Sequence, residues 1–139
     1  MIEKKFQLHL PSTLGCEKVA MDFAASVAKN MNFPADRVED LKTAVAEACI
    51  NAIEHGNKMD ASMKVGISLT VDRDRLQVAV HDEGAGIEGV ASPHLDSKME
   101  GKTDRRGWGI FLIKSLMDEV TFESTPEGNV VKMIIHLEK

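Results

Sequence analysis

The sequence predicts an α+β fold, a two-layer sandwich with helices on one face of a mostly antiparallel, mixed sheet. Two observations carry that expectation. Short segments alternate apolar and polar residues at period two, while longer ones repeat apolar residues at helical spacing. Together they follow the order β-α-α-β-β, a polar stretch, then α-β-β. With 139 residues, 43% of them hydrophobic, the chain can bury one sizeable core, and residues 1–139 are read as a single domain.

Lys4 to Leu10 places Phe6, Leu8 and Leu10 on one face, a strand ended by Pro11. Ser12 or Thr13 can cap the helix that follows, with Glu17 placed to support the cap. From Leu14 to Met31, Val19, Phe23, Val27 and Met31 form a stripe at four-residue spacing. Pro34 suits the first turn of a second helix, roughly Ala35 to His55. Its apolar face holds Val38, Leu41, Val45, Ala48, Cys49, Ala52 and Ile53, with Asp40, Glu47, Asn51 and Glu54 opposite. Gly56 and Asn57 are natural stop residues.

Met63 to Val71 and Leu76 to Val80 both alternate, and the turn Asp72-Arg73-Asp74 between them reads as a hairpin. The second strand runs into Asp82-Glu83-Gly84-Ala85-Gly86-Ile87. Periodicity then fades over about residues 88–106. Loops longer than ~12–15 residues in compact domains usually serve function, so a lid is expected there. Gly107 to Val120 carries Ile110, Phe111, Ile113, Leu116, Met117 and Val120 in a helical pattern. Strands at Thr121-Phe122-Glu123 and Val130 to Leu137 close the fold around Pro126-Glu127-Gly128.

The formal net charge is −5, and Lys and Arg are interspersed with acidic residues, so direct nucleic-acid binding is not expected. Cys16 and Cys49 are far apart with no C-x-x-C spacing and read as free thiols. The N-terminus lacks an apolar signal region, and no run approaches the ~20 apolar residues of a membrane span, so a cytoplasmic protein without a membrane partner is expected. Gly101-Lys102-Thr103 suggests a Walker A tail, but Asp96 stands where that motif needs a glycine. His9, His55, His81, His94 and His136 have no zinc-ligand spacing.

Three segments then stand out together: Glu47-Ala-Cys-Ile-Asn51-Ala-Ile-Glu-His55-Gly-Asn57, Asp82-Glu-Gly84-Ala-Gly86-Ile87 and Arg105-Arg106-Gly107-Trp108-Gly109. Read alone, the first is a solvated helix face, the second a turn and the third a glycine-containing helix start. In this order and spacing they resemble the N, G1 and G2 boxes of the GHKL (Bergerat-fold) ATPase superfamily. The resemblance implies ATP and Mg2+ as ligands. It assigns Asn51 to the metal, and assigns Glu47 to the general base in those members that are kinases. The spacing is compatible, because residues 47 and 51 project side by side one helical turn apart. In the G1 box, Asp82 would accept a hydrogen bond from the exocyclic amino group of adenine, and Gly84, Gly86 and Ile87 would shape the turn beside it.

In the G2 box, Gly107, Trp108 and Gly109 would present backbone N–H groups to phosphate at a helix start. Arg105 or Arg106 could neutralise the γ-phosphate, and the related anti-sigma kinases carry an arginine at the position of Arg105. His55 reads as part of the helix end beside the nucleotide, or as a capping residue. Within the superfamily, the chain is similar over nearly its full length to anti-sigma factor serine kinases of the SpoIIAB and RsbW type. That implies a homodimer that sequesters a sigma factor and phosphorylates a serine on a STAS-domain anti-anti-sigma protein. Two other readings compete: a non-catalytic ATP-binding module that sequesters a partner, and a switch kinase acting on an upstream STAS scaffold. The segment 91–104 lacks the paired threonines often found in these lids, and Trp108 replaces a smaller apolar residue.

Overall fold

The computed structural model describes residues 3–84 and 105–137, with the side chains of Arg105 and Arg106 excepted. Its elements run β1 (Lys4–Pro11), α1 (Glu17–Asn30), α2 (Ala35–Asn51), a π-helical turn (Ala52–Gly56), β2 (Lys64–Val71), β3 (Arg75–His81), α3 (Arg105–Leu116), β4 (Glu119–Thr125) and β5 (Gly128–His136). The sheet order is β1-β2-β3-β5-β4. Its pairings among the described residues are antiparallel, in keeping with the mostly antiparallel sheet that the sequence predicts.

Alternation decides which side of the sheet is covered. Val65, Ile67 and Leu69 of β2, Leu76, Val78 and Val80 of β3, and Met133 and Ile135 of β5 are all buried in one cluster with residues of the helices. Removing such apolar side chains from water, at about 25 cal/mol per Å2, is what holds the layers together. The whole apolar face expected of the second helix, from Val38 to Ile53, is buried.

The first helix differs from expectation. It begins at Glu17 rather than Leu14, and its first-turn neighbour Cys16 offers no side-chain cap. The Ser12 hydroxyl is committed elsewhere: it donates to the Met63 carbonyl (2.9 Å) and accepts from Asn57 Nδ2 (2.7 Å). Glu17 does fold back, accepting from the Gly15 N–H at 2.6 Å. The buried face is Ala20, Ala24, Ala25 and Ala28, whereas Val19 is exposed and Phe23, Val27 and Met31 are partly buried at its margin. Small residues let α1 approach α2 closely, which moves the bulkier stripe to the flank.

The last helix is also shorter than its apolar pattern. It ends at Leu116, and Val120 belongs to β4 instead. Ile113 and Met117 are buried, but Phe111 is exposed and stacks on Trp108 at 5.4 Å between ring centroids. Both cysteines are free, as expected. Burial pushes the Cys49 thiol up to about 12, with Glu17 adding to the effect, so it stays protonated and inert. Among the described residues, no helix is long and apolar enough to cross a membrane.

Candidate functional site

The N-box helix reaches the site through an irregular end. At Ala52–Gly56 the helix widens into a π-turn, with Asn57 N–H bonded to the Ala52 carbonyl at 2.8 Å. Half-buried His55 lies in that turn, beside Glu54. Gly56 then meets the G1 strand end so closely that a methyl group there would overlap the Asp82 carboxylate. Likewise, a methyl group on Gly84 would overlap the Gly56 carbonyl. The two glycines therefore let the N-box end and the G1 turn touch backbone to backbone.

Asp82 is held from several sides. Its Oδ1 accepts from Gly84 N–H (2.9 Å), Asn129 N–H (3.1 Å) and Asn129 Nδ2 (3.0 Å). Its Oδ2 accepts from Asn129 Nδ2 alone among the described residues, at 3.2 Å. Gly128, at φ +143°, makes this possible, since any side chain there would strike the Asp82 carbonyl. Asn57, nearly fully buried, adds a lock between segments. Its Nδ2 donates to Ser12 Oγ and to the Lys64 carbonyl, while its Oδ1 accepts from Glu83 N–H at 2.8 Å.

At the other end, Glu47 and Asn51 share one face of α2, and Gly109 of α3 packs against them. A Cβ at position 109 would lie 2.8 Å from Glu47 Oε1 and 3.4 Å from Asn51 Nδ2. Glycine lets α3 approach these two side chains closely. Gly107 and Gly109 are buried, while the indole of Trp108 between them is exposed and turned onto Phe111.

The structure thus brings together Glu47, Asn51 and Gly109 at one end, and Gly56, Asp82 and Gly84 at the other. Gly86, Ile87 and the segment through Asp104, where a lid is expected, lie outside the described residues, and nothing is described of the Arg105 and Arg106 side chains beyond their place in the first turn of α3. Sequence reasoning missed Asn57, Gly128 and Asn129. Asn57 looks like ordinary helix-stop chemistry beside Gly56, and Gly128 like a turn residue. The available signal for Asn129 was register: once β3 and β5 are paired, His81 faces Val130, and Asp82 must face Asn129.

Residues 10–135 match the family described as histidine kinase-like ATPase domain. The chain belongs to this family. The protein called serine-protein kinase RsbW in Bacillus subtilis (strain 168) is 37% identical over 105 residues, covering 72% of this chain and 66% of that protein. The anti-sigma F factor of the same organism is 33% identical over 127 residues, covering 88% of this chain and 86% of its own. Among solved structures, the RsbU and RsbW domains of a Mycobacterium tuberculosis protein superpose with TM-score 0.70 at 15% identity, over 96% of this chain and 32% of that one. The histidine kinase domain of an Erythrobacter litoralis blue-light activated kinase gives 0.60 at 20%, over 87% and 61%. Those two structures share the fold of this chain.

Proposed function

We propose that this chain is an ATP-binding anti-sigma factor with serine/threonine protein kinase activity, which sequesters a sigma factor and phosphorylates a STAS-domain anti-anti-sigma protein. The observation that carries the reading is the meeting of Glu47, Asn51 and Gly109 between α2 and α3, together with the carboxylate of Asp82 held in place against the Gly56 end of the same helix. Relatives named serine-protein kinase and anti-sigma factor support it. A homodimer in the cytoplasm, acting in transcription regulation, and a single ATPase domain with its lid at about 88–106, complete the proposal.

The residues present fit both ligands. Asp82 accepts from the adenine amino group, and the amide oxygen of Asn51, on the same helix face as Glu47 where Gly109 packs, is a suitable hard ligand for Mg2+. Bound there, the metal would supply charge neutralisation at the phosphates. Glu47 takes the proton from the acceptor serine as its hydroxyl oxygen bonds to the γ-phosphorus and ADP leaves with the bridging electron pair. The start of α3 would present backbone N–H groups to phosphate, with Arg105 or Arg106 as the counter-charge.

The test is transfer of labelled γ-phosphate to a cognate STAS protein, alongside calorimetry of Mg-ATP binding. Wild type should bind and transfer, and Asp82→Asn should lose about 10- to 100-fold in affinity, the worth of a hydrogen bond to a charged acceptor. ATP binding and sigma-factor capture without any transfer would favour the non-catalytic module. Unchanged affinity in Asp82→Asn would remove the nucleobase assignment.

A further inference from the structure

We propose that Asn129 is the positioning residue of the nucleobase pocket, fixing Asp82 so that one carboxylate oxygen, Oδ2, meets the 6-amino group of adenine. The inference rests on the adenine reading above and deepens it. It starts from an asymmetry within a single side chain. Oδ1 of Asp82 accepts from three donors, two of them from Asn129, and so has no capacity left for a ligand. Oδ2 accepts only the longer share of the Asn129 Nδ2 bond among the described residues. A carboxylate gripped across both oxygens cannot rotate about its terminal torsion, which is otherwise broad.

Two further observations bear on Asn129 itself. Its Oδ1 is buried without a hydrogen-bond partner among the described residues. Turning the amide over would offer that oxygen to the carboxylate, acceptor against acceptor, so Asp82 dictates the orientation. Leaving a buried acceptor unmet is unfavourable, and here it accompanies keeping Nδ2 on Asp82. The backbone is committed to the same purpose. Gly128 at φ +143° brings β5 against Asp82, where Asp82 N–H donates to the Asn129 carbonyl at 3.0 Å and Asn129 N–H returns a bond to Oδ1.

A positioning role can be separated from a structural one by comparing ATP with purine riboside triphosphate, which lacks only the 6-amino group. Wild type should favour ATP by about tenfold or more, the value of one charged hydrogen bond. Asn129→Ala should bring that ratio down to about threefold or less, with the affinity for purine riboside triphosphate nearly unchanged. Asn129→Asp, equal in shape but facing one carboxylate with another, should do the same and serves if the alanine variant does not fold. A wild-type ratio in either folded variant overturns the proposal, as does an equal loss for both ligands. Wild type that binds the two ligands equally overturns the nucleobase reading itself, whereas an intact wild-type ratio with unresponsive variants removes only the role of Asn129.

Discussion

The two ends of the site are built on opposite terms. At the proposed nucleobase end the polar side chains form a network: Asp82 is bonded to Gly84 and Asn129, and Asn57 ties Ser12, Lys64 and Glu83 together, while Asn129 Oδ1 is unmet and Asp82 Oδ2 lightly engaged among the described residues. At the proposed phosphate end, the side chains of Glu47 and Asn51 make no hydrogen bond or ion pair among the described residues, and Gly109 packs closely beside them. A planar base is recognised by an acceptor fixed before binding, because pre-organised geometry lowers the ordering cost of association. Phosphoryl transfer instead needs groups free to engage a metal, a proton and developing charge. On the proposed reading, a bonded network marks the recognition end and unengaged side chains mark the chemical end.

The largest expected effect breaks the comparison at the chemical end. Glu47→Gln preserves shape and removes the proposed proton acceptor, so transfer to the proposed STAS partner should slow by about 10² to 10⁴-fold. Mg-ATP affinity should stay near wild type, because no engaged hydrogen bond is lost. Single-turnover transfer and calorimetry read the two quantities separately. A wild-type transfer rate would show that Glu47 is not the base.

The glycines sharpen the same contrast in stability. Gly84→Ala drives a methyl group into the Gly56 carbonyl, backbone that cannot yield, and should cost about 1–3 kcal/mol as overpacking does. Gly109→Ala meets the far end of the flexible Glu47 side chain, which can swing away. Alanine is also about 0.5–1 kcal/mol better than glycine inside a helix. Denaturant titration should therefore show Gly84→Ala destabilised and Gly109→Ala unchanged or slightly stabilised, while transfer falls in Gly109→Ala because Glu47 is displaced. Equal destabilisation would mean that the phosphate end is as tightly packed as the other.

The chemical end was the more legible in the sequence. Glu47 and Asn51 are four residues apart on one helix, so helical geometry alone aligns them, and the buried stripe from Val38 to Ile53 fixes which way the helix faces. The recognition end depends on contacts between distant segments. Asn57 and Glu83 lie 26 positions apart, and Asp82 and Asn129 are separated by 47. No local spacing encodes such pairs; they emerge only from sheet register. The same limit explains α1, where four alanines carried the packing and a spaced set of larger residues drew attention away. It also explains Phe111, whose helical phase suited the core but whose ring stacks outside on Trp108.

The smallest effect tests how far the order of the recognition end extends onto the open face of the sheet. His81 ends β3 next to Asp82 and faces Gly66 across the ladder. Burial holds its pKa below the ordinary 6.5, the charges of His9 and Lys132 lower it further, and Asp82 pulls the other way. The folded state thus favours neutral imidazole, while the unfolded chain takes up a proton near its ordinary value. As pH falls below about 6.5 the unfolded state binds more protons, so stability is full above that point and declines beneath it. His81→Gln removes this contribution but keeps a polar side chain of similar reach. Urea midpoints measured from pH 7.5 down to 5.5 should fall less steeply for the variant than for wild type, with the difference confined to the acid side. Because the imidazole is only half-buried, solvent screening keeps the gap small. Parallel curves would mean that His81 is solvated like a free histidine, and that the rigid environment stops at Asp82.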